Sequence, residues 1–415
     1  MTTVADDPRL AAEVPGVRGL AALALRRVRQ GEIGPLPVIF GLIVIAIIFQ
    51  SQNTNFLRPL NLTNLMVQVV PFGTIAIGVV LVLLLGEIDL SIGSVSGFCS
   101  GIMAVLSVKH GVSGPVSVIV AVLSGTAIGF VIGFWRTKLL VPSFVVTLAG
   151  LIGFQGALIY ILGSTGAINL NDKFITDLAN RVLPVWEGWT LAIILVAAYA
   201  LGRITLRIRR ARAGLRSEPM AVLLVRLVFL AGPLLGMVAL MSVNRSPGEF
   251  VAIEGVPLAV VIFLGLIVVF DLVMRRTRFG RDVYAVGGNE EAARRAGINV
   301  DRIRIAIFCL SSTLAAFGGI LAASRLLAVN QQSGASDTLL NSIAAAVIGG
   351  TSLFGGRGNI WSALLGALVI GSIANGMDLL ALESSVKFMI TGGVLLAAVT
   401  IDAVARRGRQ AAGRV

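Results

Sequence analysis

Charge is scarce in this chain: 13% of its 415 residues are Asp, Glu, Lys or Arg, against 56% hydrophobic residues and a mean hydropathy of +0.92. That balance excludes an ordinary soluble domain and predicts a polytopic membrane protein. Cysteine and histidine are nearly absent. Cys99 and Cys309 both fall in apolar runs and the one histidine is His110, so neither a disulfide framework nor a His/Cys metal site can be built. The same shortage leaves no Ser/His/Asp or Cys/His catalytic set. No lysine follows a glycine anywhere, which removes the G-K-[ST] ending of a phosphate-binding loop. No cofactor, no metal and no nucleotide-hydrolysing apparatus are therefore expected of the chain itself.

Apolar runs fill the space that these residues leave. Stretches of roughly 17 to 25 residues with few charges recur, and about twelve crossings are read. They lie near 36–49, 66–85, 91–107, 115–134, 142–162, 190–205, 221–243, 257–274 and 305–323, with two more around a break at 355–359 and a last one near 386–401. The fold class predicted is an all-α transmembrane bundle. Residues 1–34 form a charged leader before a retained first span, 35–404 the membrane domain, and 405–415 a basic tail.

The net charge of +13 could suggest a nucleic-acid partner, but the placement of the cations argues otherwise. With the N-terminus inside, 26 Lys and Arg fall on the cytoplasmic side, 7 outside and Arg226 within a span. This is the positive-inside asymmetry, and it places both termini in the cytoplasm. The densest basic run, 203–216, is read as a topology anchor with affinity for anionic membrane lipid. Gly125, Gly129 and Gly133, four residues apart, are read as a close helix-packing face. Residues 164–189 are polar and read as an exterior loop. Gly349, Gly350, Gly355, Gly356 and Gly358 are read as a tight interhelical turn.

Two stretches carry functional expectations. GEIDLSIGSVSG places Glu87 and Asp89 amid apolar sequence, where a carboxylate is costly and is a functional candidate by default. A straight helix before them would leave Glu87 at the cytoplasmic surface, whereas a break at Pro71 would leave it deeper; a helix-capping role for Asp89 or Ser91 is the structural alternative. Neutral amides at Gln68, Gln155, Asn341 and Asn375 lie in spans and suit a hydroxyl-rich solute, or simply bond one helix to another.

The second stretch is the polar loop 275–304. Within it Asn289 is an N-cap, Glu290 and Glu291 fill a first turn with Ala292, Arg294 and Arg295 fill a last turn, and Gly297 takes the left-handed C-terminal position. The result is a helix of about seven residues, marginal alone in water, which needs a surface to lie against.

GEIDLSIGS, VPSFVVTLAG, GRDVYAVGGNEEAARRAGINVDRIRIAIF and VIGGTSLFGGRG, in that order, resemble the permease subunits of bacterial ABC sugar importers of the ribose/xylose/galactose group. NGMDLL and the larger middle, with its basic loop and extra pair of spans, are most similar to the xylose type. The resemblance covers 61–402. It implies a homodimeric pore in the bacterial inner membrane, joined to a cytoplasmic ABC ATPase and fed by an external sugar-binding protein. The segment 289–297 resembles the coupling helix that docks on the ATPase. The alternative is a secondary transporter driven by an ion gradient, with Glu87 or Asp89 carrying the ion.

Overall fold

A computed structural model describes residues 36–213, 219–246 and 252–411, so the leader and the end of the basic tail lie outside the described residues. Among those described, nine helices are long and apolar enough to cross a membrane. The chain divides into two compact units: among the described residues the first takes in 182–213, 219–246 and 252–256, and the second 36–181 and 257–411.

The first unit holds the extra pair of spans as a helical hairpin. Helices α7 (Val185–Arg212) and α8 (Met220–Met241) pack on one another. Past α8 the buried Arg245 guanidinium donates to the carbonyls of Met241 and Gly255, which fixes the turn leaving the helix. The basic run proves to be helical through Arg212, so α7 itself carries most of the cations read as a loop. The arginine side chains are compatible with helix continuation, and their charge favours the C-terminal end of the helix dipole.

In the second unit the chain enters through α1 (Leu36–Gln52) and returns as α2 (Pro59–Leu84). Pro59 starts α2, where its missing N–H costs nothing. The helix then runs through Pro71 without ending there, and at roughly 1.5 Å per residue its 26 residues span about 39 Å. Of the two alternatives, the break at Pro71 is therefore absent, and Glu87 lies beyond the end of a full-length crossing. Helix α2 is the most enclosed span, with 83% of its apolar window buried.

Helices α3 (Ile92–Ala104, prolonged by a π-turn to Lys109), α4 (Gly114–Lys138) and α5 (Ser143–Leu162) follow. Residues 164–189, expected to be a loop, instead contain strand β1 (Ala167–Asn169) and helix α6 (Lys173–Asn180). Asp172 explains this local order. Its Oδ1 accepts from Ile175 N–H at the start of α6 while Oδ2 accepts from Gly114 N–H at the start of α4.

After α9 (Leu258–Arg276) come two short helices, α10 (Arg278–Gly288) and α11 (Glu290–Arg295). Helix α12 (Val300–Leu326) packs against α2, α3 and α4. The glycine face does what its spacing suggests: Cβ atoms at Gly125, Gly129 and Gly133 would collide with α12 at Ala316, Phe308 and Ile305. Strand β2 (Ala328–Asn330) pairs antiparallel with β1, Ile168 opposite Val329. Helices α13 (Ser336–Ile348) and α14 (Trp361–Leu379) are joined by the glycine turn, and α15 (Ser384–Ala411) completes the described chain.

Candidate functional site

The polar loop is more ordered than its sequence suggested. Helix α10, in a stretch expected to be loop, is capped at Thr277, whose side chain accepts from Gly280 N–H at 3.2 Å. It buries Val283 and Val286, and Tyr284 Oη donates to the Gly358 carbonyl at 3.0 Å. A hydrophobic face of this kind, rather than intrinsic helix strength, makes so short a helix stable.

Helix α11 forms as its residues dictate. Asn289 Oδ1 accepts from Ala292 N–H at 2.9 Å. At the other end Gly297, at φ +84°, donates to Arg294 O while Ile298 donates to Ala293 O, the paired bonds of a Schellman cap. Glu290 pairs with Arg294 at 3.0 Å and Glu291 with Arg295, one turn apart in each case. Only Ala293 is buried; Glu291, Ala292, Arg294, Arg295 and Gly297 are exposed. The helix thus rests on one alanine and presents a polar, mixed-charge face outward.

Two sets of contacts tie α10 and α11 to the spans. One is backbone against backbone. The end of α10 lies so close to the end of α2 that a Cβ at Gly287 would fall 1.8 Å from Leu84 O, and one at Gly355 would fall 2.8 Å from Gly287 O. Gly356 N–H donates to Leu84 O at 2.9 Å. The glycine turn between α13 and α14 thus closes a three-way junction with α2 and α10, and only glycine permits that approach.

The other set is ionic. Arg136 Nε donates to both oxygens of Glu87, at 2.9 and 3.0 Å. Arg304 Nε stands 2.8 Å from Glu87 Oε1, an ion pair without good hydrogen-bond alignment. The same guanidinium donates through Nη2 to Glu290 Oε2 at 2.9 Å. Arg136, Glu87, Arg304, Glu290 and Arg294 therefore alternate in sign from the end of α4 to the last turn of α11. Burial pushes the Glu290 carboxyl up, but hydrogen bonds and charges from Arg304 and Arg294 outweigh it and hold the group below its ordinary value. Beside this chain Lys138 pairs with Asp301 at 2.8 Å.

Glu87 and Asp89 are thus brought into different surroundings. Asp89 Oδ1 accepts from the N–H and hydroxyl of Ser91, at 2.9 and 2.6 Å, in a local turn just before α3. Its Oδ2 is buried and has no hydrogen-bond partner among the described residues. Burial pushes this carboxyl above its ordinary value against the two bonds from Ser91.

The amides do not gather in one place. Asn375 and Asn61 exchange two hydrogen bonds, at 2.7 and 3.1 Å. Gln155 Nε2 donates to Gln331 O at 2.7 Å. Gln68 on α2 and Asn341 on α13 are half-buried.

Sequence reading missed Arg136 and Arg304. A signal was present: a carboxylate near the membrane demands a cation at its own depth, and both arginines sit at the Glu87 end of a span.

The description "Branched-chain amino acid transport system / permease component" belongs to the family whose profile matches residues 61–399. The chain is 34% identical to the xylose transport system permease protein of Escherichia coli (strain K12), over 89% of this chain and 92% of that protein. It is 35% identical to the corresponding protein of Haemophilus influenzae, over 88% and 96%. The ribose import permease protein of Bacillus subtilis is 31% identical, over 90% and 94%. No solved structure matches significantly. The resemblance read from the four motifs holds over nearly the whole chain, and the chain belongs to this permease-component family of multi-pass inner-membrane transport proteins.

Proposed function

We propose that the chain is the membrane-spanning subunit of an ATP-driven ABC importer, carrying a monosaccharide, xylose or another pentose, that an external binding protein delivers. Similarity to xylose and ribose permeases over nearly their full length supports the sugar class. Adding the shorter apolar helices α1 and α13 and the final α15 to the nine long spans gives twelve crossings. An even number returns the chain to its starting side, and the excess of cations makes that side the cytoplasm. Helix α11 then faces the cytoplasm as the dock for a separate ATPase, and a second copy of the permease completes the pore. The chain itself catalyses no reaction.

The observation that carries this reading is the build of α11: a doubly capped helix with one buried side chain and an exposed charged face, tied to the spans by the Glu290–Arg304 ion pair and, through the preceding α10, by backbone contact with the end of α2. The ion-gradient alternative is weakened at its first candidate. Guanidinium nitrogens already contact both oxygens of Glu87 and balance its charge, so a coupling cation would have to compete with them.

Purification followed by uptake tests the reading. The permease should bring down an ATPase, and xylose uptake should survive a proton uncoupler while ATP remains. Uptake that collapses with the gradient at constant ATP, with no ATPase in the preparation, would overturn it.

A further inference from the structure

Arg304 is a cation in the second turn of α12, where a simple topology anchor would be expected. An anchor gains nothing from burial, and Arg302, two residues earlier on the same helix, is exposed. Arg304 is only 5% exposed. Burying a guanidinium is costly unless it is paired and well placed. Here the planar fork reaches two carboxylates on two different elements, Glu87 after α2 at 2.8 Å and Glu290 on α11 at 2.9 Å. A lysine offers one point charge and cannot present that fork.

The two partners differ in what holds them. Glu290 sits on the rim, 43% exposed at its side chain, on the short helix whose outer face is free. Glu87 is buried, is gripped again by Arg136 of α4, and opens the non-helical stretch 87–91 that sets where α3 begins. Displacing α11 alone would separate Arg304 from Glu290 or drag Arg304 with it. Either outcome changes the number of charges that Glu87 must balance in a buried place, and such an arrangement favours discrete alternatives over gradual drift.

We infer that Arg304 is a positioning residue for transport, transmitting movement of α11 through Glu87 to the segment 87–91 and to α4. This deepens the coupling reading above and rests on it. Arg304 touches neither nucleotide nor sugar; it acts by making the position of α11 and the position of the α2–α3 connection interdependent, which is what energetic coupling between two sites requires.

The permease is purified with its ATPase and binding protein, reconstituted in proteoliposomes, and assayed for xylose uptake per ATP hydrolysed. Arg304→Gln is expected to lower that ratio about tenfold, a coupling effect of ordinary size, with the ATPase still bound and its basal hydrolysis retained. Arg304→Lys should recover only part of the loss. Glu290→Gln, a change at the surface that does not threaten folding, should shift the ratio in the same direction. Adding Glu290→Gln to Arg304→Gln should cost nothing further, since both remove one link. Unchanged uptake per ATP in Arg304→Gln overturns the proposal, and if that variant fails to insert, an unchanged ratio in Glu290→Gln does so. A wild-type permease that brings down no ATPase instead strikes the underlying reading, so the two failures are told apart.

Discussion

The two ends of α12 are held by different chemistry. Near Ser324 the ties are neutral and short: Ala179 N–H donates to Ser324 Oγ, Ser324 Oγ donates to Thr176 O, and Asn180 Nδ2 donates to Ser324 O at 2.7 Å. The neighbouring start of α2 is fastened the same way, by the reciprocal amide pair Asn61 and Asn375. Near Arg304 the ties are charges in a row and glycine backbones in contact. Neutral hydrogen bonds between helices are directional and modest, which suits an end that holds its shape. Buried ion pairs are costly to break singly and can be re-formed with new partners, which suits an end that passes on a movement.

Removing the central acid of the charged end gives the largest effect. Glu87→Ala leaves Arg136 and Arg304 facing a void, and loss of one member of a buried ionic cluster costs about 3–5 kcal/mol. Thermal unfolding of the detergent-purified protein should show it, and an unchanged midpoint would mean that solvent already reaches this cluster. Gly287→Val comes next. Its Cβ cannot coexist with Leu84 O, so the three-way junction must open, and uptake should be lost while membrane insertion persists. Normal uptake would show that α10 does not need that approach.

At the neutral end, Asn375→Leu removes both amide bonds while Asn61 keeps its bond to Phe56 O. A loss of about 1–2 kcal/mol of stability is expected, with uptake per ATP unaltered. A changed ratio would erase the contrast between the two ends. Smallest of all is Glu291→Gln, which removes an ion pair whose partners are 74% and 79% exposed and should alter stability by only a few tenths of a kcal/mol. The inner pair also has a pH signature. Because the Glu290 carboxyl is held below its ordinary value, its contribution is full above the normal carboxylate range and is lost only as pH falls through the lowered value. Uptake per ATP should therefore be flat between about pH 6 and pH 8.

Much of this arrangement is legible in the sequence. Helix α11 was legible residue by residue because its signals are local: a cap at Asn289, charges sorted by helix end, and a left-handed glycine at Gly297. The packing face at Gly125, Gly129 and Gly133 was legible for the same reason. Helix α6 was not: its Asp172 cap is local, but the burial of Ile175 and Ala179 and the bonds to Ser324 depend on distant parts of the chain, and α10 was not, because its stability comes from Val283, Val286 and Tyr284 meeting other parts of the chain. The charged row was hidden most thoroughly. Glu87, Arg136, Glu290 and Arg304 sit on four separate segments, and no periodicity links them. Only the cost of burying Glu87 hinted that cations had to be near.

The most direct measurement is capture of the ATPase by a permease carrying Glu290→Arg and Glu291→Arg. The reversal turns the acidic first turn of α11 basic, opposes the helix dipole, and sets Arg304 against a like charge. The expected result is normal membrane insertion with little or no ATPase captured and no uptake. Full capture with wild-type uptake would contradict the assignment of α11 as the dock.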